Sequence, residues 1–443
     1  MKKTLFRTIV ILLLGSLLAS CGGQEAFTPT AESVPTEQEA VEPTPTQPEE
    51  PPGAEPTAAA ETPTEVAAAT PASNLTDGCV ENYDPTVDYF PDKVEVTKAE
   101  GFTVDYANNY KVVTVLTPFS GAEQANQYVL VQCGTPIPES FAPMKVIEVP
   151  IHSIVAMSTT YLPALKQLDL LDTLVGVDSG LYTTSKEVLD LIDSGAVAEI
   201  GNGTEVNVEM AVDLDPDLIM ANATGSPDYD AHPKLEEAGL PVVINSDYLD
   251  TSPLGRAEWV DFIALFYNKE AASEAWFDGV VSDYESLAAM SAEVEERPTV
   301  FVNTPFDGTW FLPGGENYFA RLLADAGSDY LWSNDGSTGS LFLDFESVFD
   351  QAADADFWLN PGVYGTLDDL LATDERFGEF AAFQNGNVYN NDARSNENGG
   401  SDFYESGVVF PNVVLADLIK IFHPELLPDH ELVYYRHMEG SGS

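Results

Sequence analysis

The residues of this 443-residue chain that could do chemistry gather in a few polar loops. The richest runs from Asn390 to Gly407 and holds Arg394, Asp402, Phe403, Tyr404 and Glu405. A polar loop of that length persists where it has a task. Arg394 is one of six arginines after residue 20. A guanidinium grips carboxylate or phosphate, and Phe403 and Tyr404 offer flat faces beside it. The alternative is a solvated loop whose arginine pairs with a nearby aspartate. Asp392, Asn396 and Asn398 alternate as calcium ligands do, but their spacing departs from the EF-hand pattern. Ser158-Thr159-Thr160 opens a helix, where hydroxyls suit an anionic group or serve as ordinary caps. Gly180-Leu-Tyr182-Thr precedes another helix. The run from Asp307 to Gly315 follows a strand and carries Trp310 and Gly314, with the indole either at a rim or in the core.

Catalytic signatures are missing from the sequence. It has no G-x-S-x-G, H-E-x-x-H or P-loop, and Gly201-Asn-Gly203 lacks the third glycine of a dinucleotide loop. His152, His232, His423, His430 and His437 have no metal-ligand spacing and read as structural or exposed. Acids are abundant, yet no pair stands out by spacing, so a carboxylate-dependent hydrolase is the weaker reading and binding the stronger.

The elements that must hold these loops follow an α/β grammar. From Met144 onward short apolar strands alternate with helices, predicting largely parallel sheets, with strands at 145–149, 154–157, 174–177, 218–221 and 242–244. The stretch 268–298, rich in alanine, leucine and carboxylates and closed by Pro298, predicts one rod of roughly 40 Å. Asn268 would cap it, Glu270 would complement its dipole, and Ala272, Trp276, Val280, Tyr284 and Leu287 would form its apolar stripe; Gly279 is its weak point. Beyond the rod the grammar restarts at Thr299. The halves echo each other, since Glu209 heads a helix leading to Asp217-Leu-Ile-Met-Ala221 and Glu346 heads one leading to Asp356-Phe-Trp-Leu-Asn360. The predicted fold is therefore two α/β lobes joined by one long rigid helix. A β-hairpin cap from runs at 110–116 and 127–132 occupies 74–142, the first lobe 143–267, the helix 268–297 and the second lobe 298–443. Ligands of such arrangements sit between the lobes, at the strand ends.

The first 20 residues read as an export signal, with Lys2, Lys3 and Arg7 ahead of an apolar run too short to span a bilayer permanently. Residues 21–73 are rich in proline, threonine and glutamate without lysine or arginine, a composition that predicts an extended stalk. The formal net charge of −55 makes nucleic acid and anionic lipid poor partners. Cys79 and Cys133 remain as a pair for an oxidising compartment, either as a disulfide or as two buried thiols.

Leu18-Ala-Ser-Cys21 resembles a lipobox, which implies cleavage before Cys21 and lipidation of its thiol. With Leu174-Val-Gly-Val-Asp-Ser179, Val212-Asp-Leu-Asp-Pro-Asp-Leu-Ile219, Leu235-Glu-Glu-Ala-Gly-Leu-Pro-Val-Val243, Ser252-Pro-Leu-Gly-Arg-Ala-Glu-Trp259 and Leu415-Ala-Asp-Leu-Ile-Lys-Ile-Phe-His-Pro-Glu-Leu426, the chain resembles the solute-binding lipoproteins of ABC importers. The resemblance is to the class that carries iron-siderophores, haem or cobalamin and joins its lobes by a single helix. It implies a non-enzymatic, extracytoplasmic monomer anchored to the cell membrane. It also implies no cofactor or protein-bound metal apart from iron or cobalt inside the ligand, and a permease dimer with ATPase subunits as partner. By similarity Tyr182 presents an aromatic from the first lobe, Trp310 and Gly314 lie in the equivalent second-lobe loop, and Arg394 follows the last sheet strand. Asp228 and Glu346 match the two carboxylates that dock on permease arginines, with Asp230 a substitute for Asp228. High acidity and few arginines favour a nearly neutral corrinoid over a strongly anionic ferric complex. A sensing or adhesive surface lipoprotein of the same fold is the competing reading.

Overall fold

The computed structural model describes residues 70–141 and 144–440; the export signal, Cys21 and nearly all of the stalk expected over 21–73 lie outside them. Strands β1 (Phe102–Tyr106), β2 (Tyr110–Val115), β3 (Asn126–Gln132) and β4 (Lys145–Val149) form one sheet in that order. The expected hairpin is β2–β3, extended by β1 on one edge. On the other edge β4 runs parallel to β3, although its sequence suggested the first lobe's sheet. Its exposure pattern explains the difference: Glu148 is exposed between buried Ile147 and Val149, which suits a sheet covered on one face. Cys79 and Cys133 are bonded, with Cα atoms 4.7 Å apart, and tie the incoming chain to the end of β3.

In the first lobe β5 (Ile154–Ala156), α1 (Leu162–Gln167), β6 (Leu174–Val177), α2 (Lys186–Asp193), β7 (Ala198–Glu199), α3 (Val208–Leu214), β8 (Leu218–Ala221), α4 (His232–Glu237) and β9 (Val242–Ile244) alternate. The sheet order is β7-β6-β5-β8-β9 and every pairing is parallel. Its central strands are buried on both faces, as their unbroken apolar runs require.

Helices α5 (Pro253–Ala264) and α6 (Glu270–Ser291) then lead out of the lobe. The rod is α6, 22 residues long and shorter than the expected span. It starts at Glu270 because Asn268 adopts a left-handed backbone, φ 55°, and does not cap it. The Asn268 amide is spent elsewhere, donating to the Leu75 carbonyl (2.7 Å) and Gln132 Oε1 (2.9 Å) while its oxygen accepts from Lys111 Nζ (2.9 Å). Glu270 is likewise not a solvated dipole partner. It is fully buried 2.5 Å from Lys111 Nζ. The helix runs unbroken through Gly279, and its buried stripe is Ser273, Phe277, Val280 and Tyr284, with Leu287 half-buried; Ala272 is exposed.

The second lobe contains β10 (Thr299–Val302), β11 (Pro305–Phe306), β12 (Thr309–Pro313), α7 (Tyr318–Asp325), β13 (Asp329–Tyr330), β14 (Ser340–Leu343), α8 (Phe345–Ala352), β15 (Phe357–Leu359), α9 (Leu367–Thr373), α10 (Ala381–Gln384), β16 (Val388–Asn390), α11 (Ser406–Val409), α12 (Pro411–Phe422) and β17 (Arg436–His437). Its main sheet has the order β13-β10-β15-β16-β17, parallel apart from the last strand. An antiparallel sheet, β11-β12-β14, stands beside it. The echo between halves has a structural cause. Asp217 Oδ2 accepts from the amides of His152 and Ser153, and its own amide donates to Ser153 Oγ (2.9 Å). Asp356 Oδ2 accepts from the amide and hydroxyl of Thr299, and its amide donates to Thr299 Oγ1 (3.0 Å). Each aspartate registers its strand, β8 or β15, on the first strand of its lobe, β5 or β10.

Candidate functional site

The lobes meet along the carboxyl ends of their strands, where open parallel sheets bind ligands. Ser158 follows β5; its hydroxyl accepts from the Thr160 amide (3.3 Å), so it works as a cap, and Thr159 is half-buried in the short turn of helix behind it. That turn packs against α11 of the other lobe. Between them Thr160, Tyr161, Asn245, Asp247 and Arg256 face Val408 and Val409 across a gap of about 10 Å³, at the limit of one water. Burial pushes the Asp247 carboxyl up and the Arg256 guanidinium pulls it back. Arg256 in turn stacks over the second lobe's Tyr318, 3.6 Å from its ring centre. The middle of the interlobe seam is thus filled.

Room for a ligand lies to one side of that seam. A cavity of about 480 Å³ is walled by α1, the start of α2, the 394–406 loop, Phe410, Val413 and Tyr434, a size within the range of small-molecule sites. Its charged lining mixes Lys166, Lys186 and Arg394 with Glu187, Asp402 and Glu405. Lys166 pairs with Glu187 (2.7 Å) and Lys186 with Asp190 (2.6 Å). Arg394 pairs through Nε with Asp402 (3.0 Å), yet its side chain stays 56 % exposed. A larger open groove, about 770 Å³, lies at the opposite end of the second lobe among Glu293, Glu296, Asp356 and Glu425, away from the strand ends that face the other lobe.

The sequence-derived candidates divide accordingly. Arg394 lies on the cavity wall. Tyr182 is 43 % exposed on the first-lobe loop, where its carbonyl closely approaches Gly400; a Cβ there would clash with it. Trp310 is not at the rim: it is 0 % exposed in an aromatic cluster with Phe301, Trp358, Phe377 and Phe380, and its indole donates to the Val302 carbonyl (2.9 Å). Position 310 alternates with Phe311 along β12, and the inward face takes the indole. Gly314 packs on Ser337, where no side chain would fit, and donates its amide to the Gly339 carbonyl. Phe403 is also core, edge-on to Phe319, Tyr404, Tyr434 and Tyr435, and offers no face to a ligand. Tyr404 keeps an open face, although crowding of its hydroxyl pushes that group up to about 12. The calcium option fails because Asp392 is bound to Arg436 (2.7 Å) and the Asn396 amide donates to the Leu181 and Thr183 carbonyls (3.0 Å each).

Of the acids expected to dock, Asp228 is exposed in a turn ahead of α4. Glu346 is in the first turn of α8, with a side chain 77 % exposed and 3.3 Å from Arg376. Asp230 is no substitute, being buried and engaged by the Thr224 amide and hydroxyl and the Gly225 amide. Sequence reasoning gave no role of its own to Arg256 or to Glu405. The rarity of arginine could have flagged the first. Nothing local marks the second, whose partners lie more than 200 residues upstream.

Two lobes with their strand ends face to face, one connecting helix and a cavity between define a binding protein of the bilobal type. The chain belongs to the periplasmic binding protein family, whose model matches residues 154–394. An uncharacterized lipoprotein of Methanocaldococcus jannaschii is 30 % identical over 324 residues, 70 % of this chain and 79 % of that protein. A second uncharacterized lipoprotein of the same organism is 25 % identical, covering 63 % and 67 %. Among solved structures, a possible iron-binding (periplasmic solute-binding) protein of Staphylococcus epidermidis aligns with a TM-score of 0.49 at 16 % identity, over 61 % of this chain and 98 % of that one.

Proposed function

We propose that the chain is the substrate-binding lipoprotein of an ABC importer that captures a metal chelate between its lobes, an iron-siderophore, haem or a corrinoid, and hands it to a permease dimer with ATPase subunits. The observation that carries this reading is the cavity of about 480 Å³ walled by both lobes, with Arg394 half-open on its wall. Arg394 would supply charge-assisted hydrogen bonds to a carboxylate or amide of the ligand, while Tyr182 and Tyr404 would supply aromatic faces at the margin. The surrounding acids, and the pairing of Lys166 and Lys186 within the first lobe, favour a ligand of low net charge over a polyanion. Anchoring through Cys21 fits relatives that are themselves called lipoproteins. Asp228 and Glu346, exposed on different lobes, would meet permease arginines. The test is absorbance and native mass spectrometry of the purified protein after incubation with cobalamin, haem or a ferric hydroxamate. One stoichiometric, coloured complex is expected; no retention of any of the three would overturn the reading.

A further inference from the structure

The two loops singled out as ligand-facing are fastened to each other. Glu405 belongs to the second lobe and is almost fully buried. Its carboxylate reaches the first lobe just ahead of α2. Oε1 accepts from the Thr183 hydroxyl (3.0 Å) and the Ser185 amide (3.2 Å). Oε2 accepts from the Thr184 amide (2.6 Å) and the Thr184 hydroxyl (3.0 Å). This carboxylate therefore satisfies amides at the start of a helix in the opposite lobe, where the dipole favours a negative charge. Asp402 adds an acceptor for the Thr184 hydroxyl (3.2 Å), and Arg394 neutralises Asp402 from the other side. The Asn396 amide spans the Leu181 and Thr183 carbonyls, and Gly400 admits the Tyr182 carbonyl at a distance that no side chain would allow.

We propose that Glu405 is an interlobe latch: its bonds to Thr183, Thr184 and Ser185 hold the second lobe on the first-lobe loop and so position Tyr182 and fix the width of the neighbouring cavity. Three features exceed what ordinary lobe packing needs. The acceptor is a nearly buried carboxyl that burial pushes up and the Thr183 and Thr184 donors pull back down, all four of its donors lie on the other lobe, and the turn at Asn396–Gly400 repeats the fastening one step away. Charge-assisted bonds of this kind are the strong ones, and a buried carboxylate that loses its donors is costly, so the contact behaves as made or unmade with little between. Glu405 acts through the loop it holds and is a positioning residue. The latch is the same whichever ligand the cleft takes.

Hydrogen exchange of the ligand-free protein tests it directly. Glu405→Gln keeps the shape but turns an amide donor toward the Thr184 or Ser185 amide. Exchange at those two amides is expected to accelerate about tenfold or more, while the β2 and β3 amides of the distant cap keep their rates. Thr184→Ala, made on the facing lobe, should give the same signature more weakly, and the double variant should add little to Glu405→Gln, as for partners in one contact. Glu405→Asp, which keeps the charge, should restore part of the protection. Unchanged exchange at Thr184 and Ser185 in both single variants, or strictly additive effects in the double one, would overturn the latch. Should Glu405→Gln not fold, Thr184→Ala and its combination with Glu405→Asp carry the same cycle. Failure to bind any chelate would leave these readouts untouched, so the latch and the transport reading fail separately.

Discussion

Asp261, on α5, is buried with no hydrogen-bond donor of its own for either carboxylate oxygen. The neighbouring Ser273 hydroxyl donates to the Glu270 carbonyl (3.0 Å), so burial dominates at Asp261. With Glu258, Glu274 and Asp278 adding negative potential, the Asp261 carboxyl is pushed up to about 8, against 3.8 when unperturbed. The folded state therefore holds a proton that the unfolded chain has already lost, and stability falls as pH rises from about 4 to about 8. Asp261→Asn should remove this component and raise stability at pH 8 by about 1–3 kcal/mol, read as a smaller slope of unfolding free energy against pH. An unchanged slope would mean that Asp261 is not held protonated. Trp310→Ala should cost about 3–5 kcal/mol of stability and leave ligand affinity intact where the variant folds, since its indole fills core. Arg394→Ala should instead weaken chelate binding by about 1–3 kcal/mol in calorimetry, with little change in melting temperature. The two tests separate a core aromatic from a wall cation that looked alike in sequence.

Carboxylates on α5 and α6 gather the incoming chain over the joint between these helices. Glu258 accepts from the amides of Thr97, Lys98 and Ala99, and Glu274 accepts from the Glu95 amide. Asp250, just ahead of α5, accepts from the Glu100 amide and Glu270 from the Asn74 side chain (2.8 Å). Lys111, fully buried, completes the joint by donating to Glu270, Asn268 and the Leu265 carbonyl. Lys111→Met should destabilise the protein by about 3–5 kcal/mol by leaving a buried carboxylate uncompensated, and adding Glu270→Gln should recover much of that loss in chemical denaturation. Periodicity marked most of the lobe helices and strands, because their apolar residues repeat with the period of the element that buries them. It did not show where α6 begins. Asn268 and Glu270 look like ordinary start signals, and only Lys111, more than 150 residues upstream, reveals that both are spoken for. The β11-β12-β14 sheet escaped for a related reason, since Phe306 and Phe342 leave apolar rings outside and blur the alternation.

Across the whole chain, α6 runs unbroken from the α5 joint to the second lobe, so bending it would break backbone hydrogen bonds. Scattering of ligand-free and ligand-bound protein should give nearly equal radii of gyration, and a large compaction on binding would contradict the rigid joint. Charge reversal of Asp228 and Glu346 to lysine should leave chelate affinity unchanged while abolishing ligand-stimulated ATPase activity in a reconstituted importer, because exposed charges mainly steer and orient encounter. Normal stimulation by the double variant would remove the docking assignment. The fastening of Asn74 to Glu270 and of Cys79 to Cys133 bears on mechanics as well. Any tension arriving through the residues before Thr70 is received where α6 begins and at the end of β3, and bypasses the edge of either lobe. Under the proposed anchoring, a load applied there would enter at the base of α6 and the end of β3 and not at the cleft.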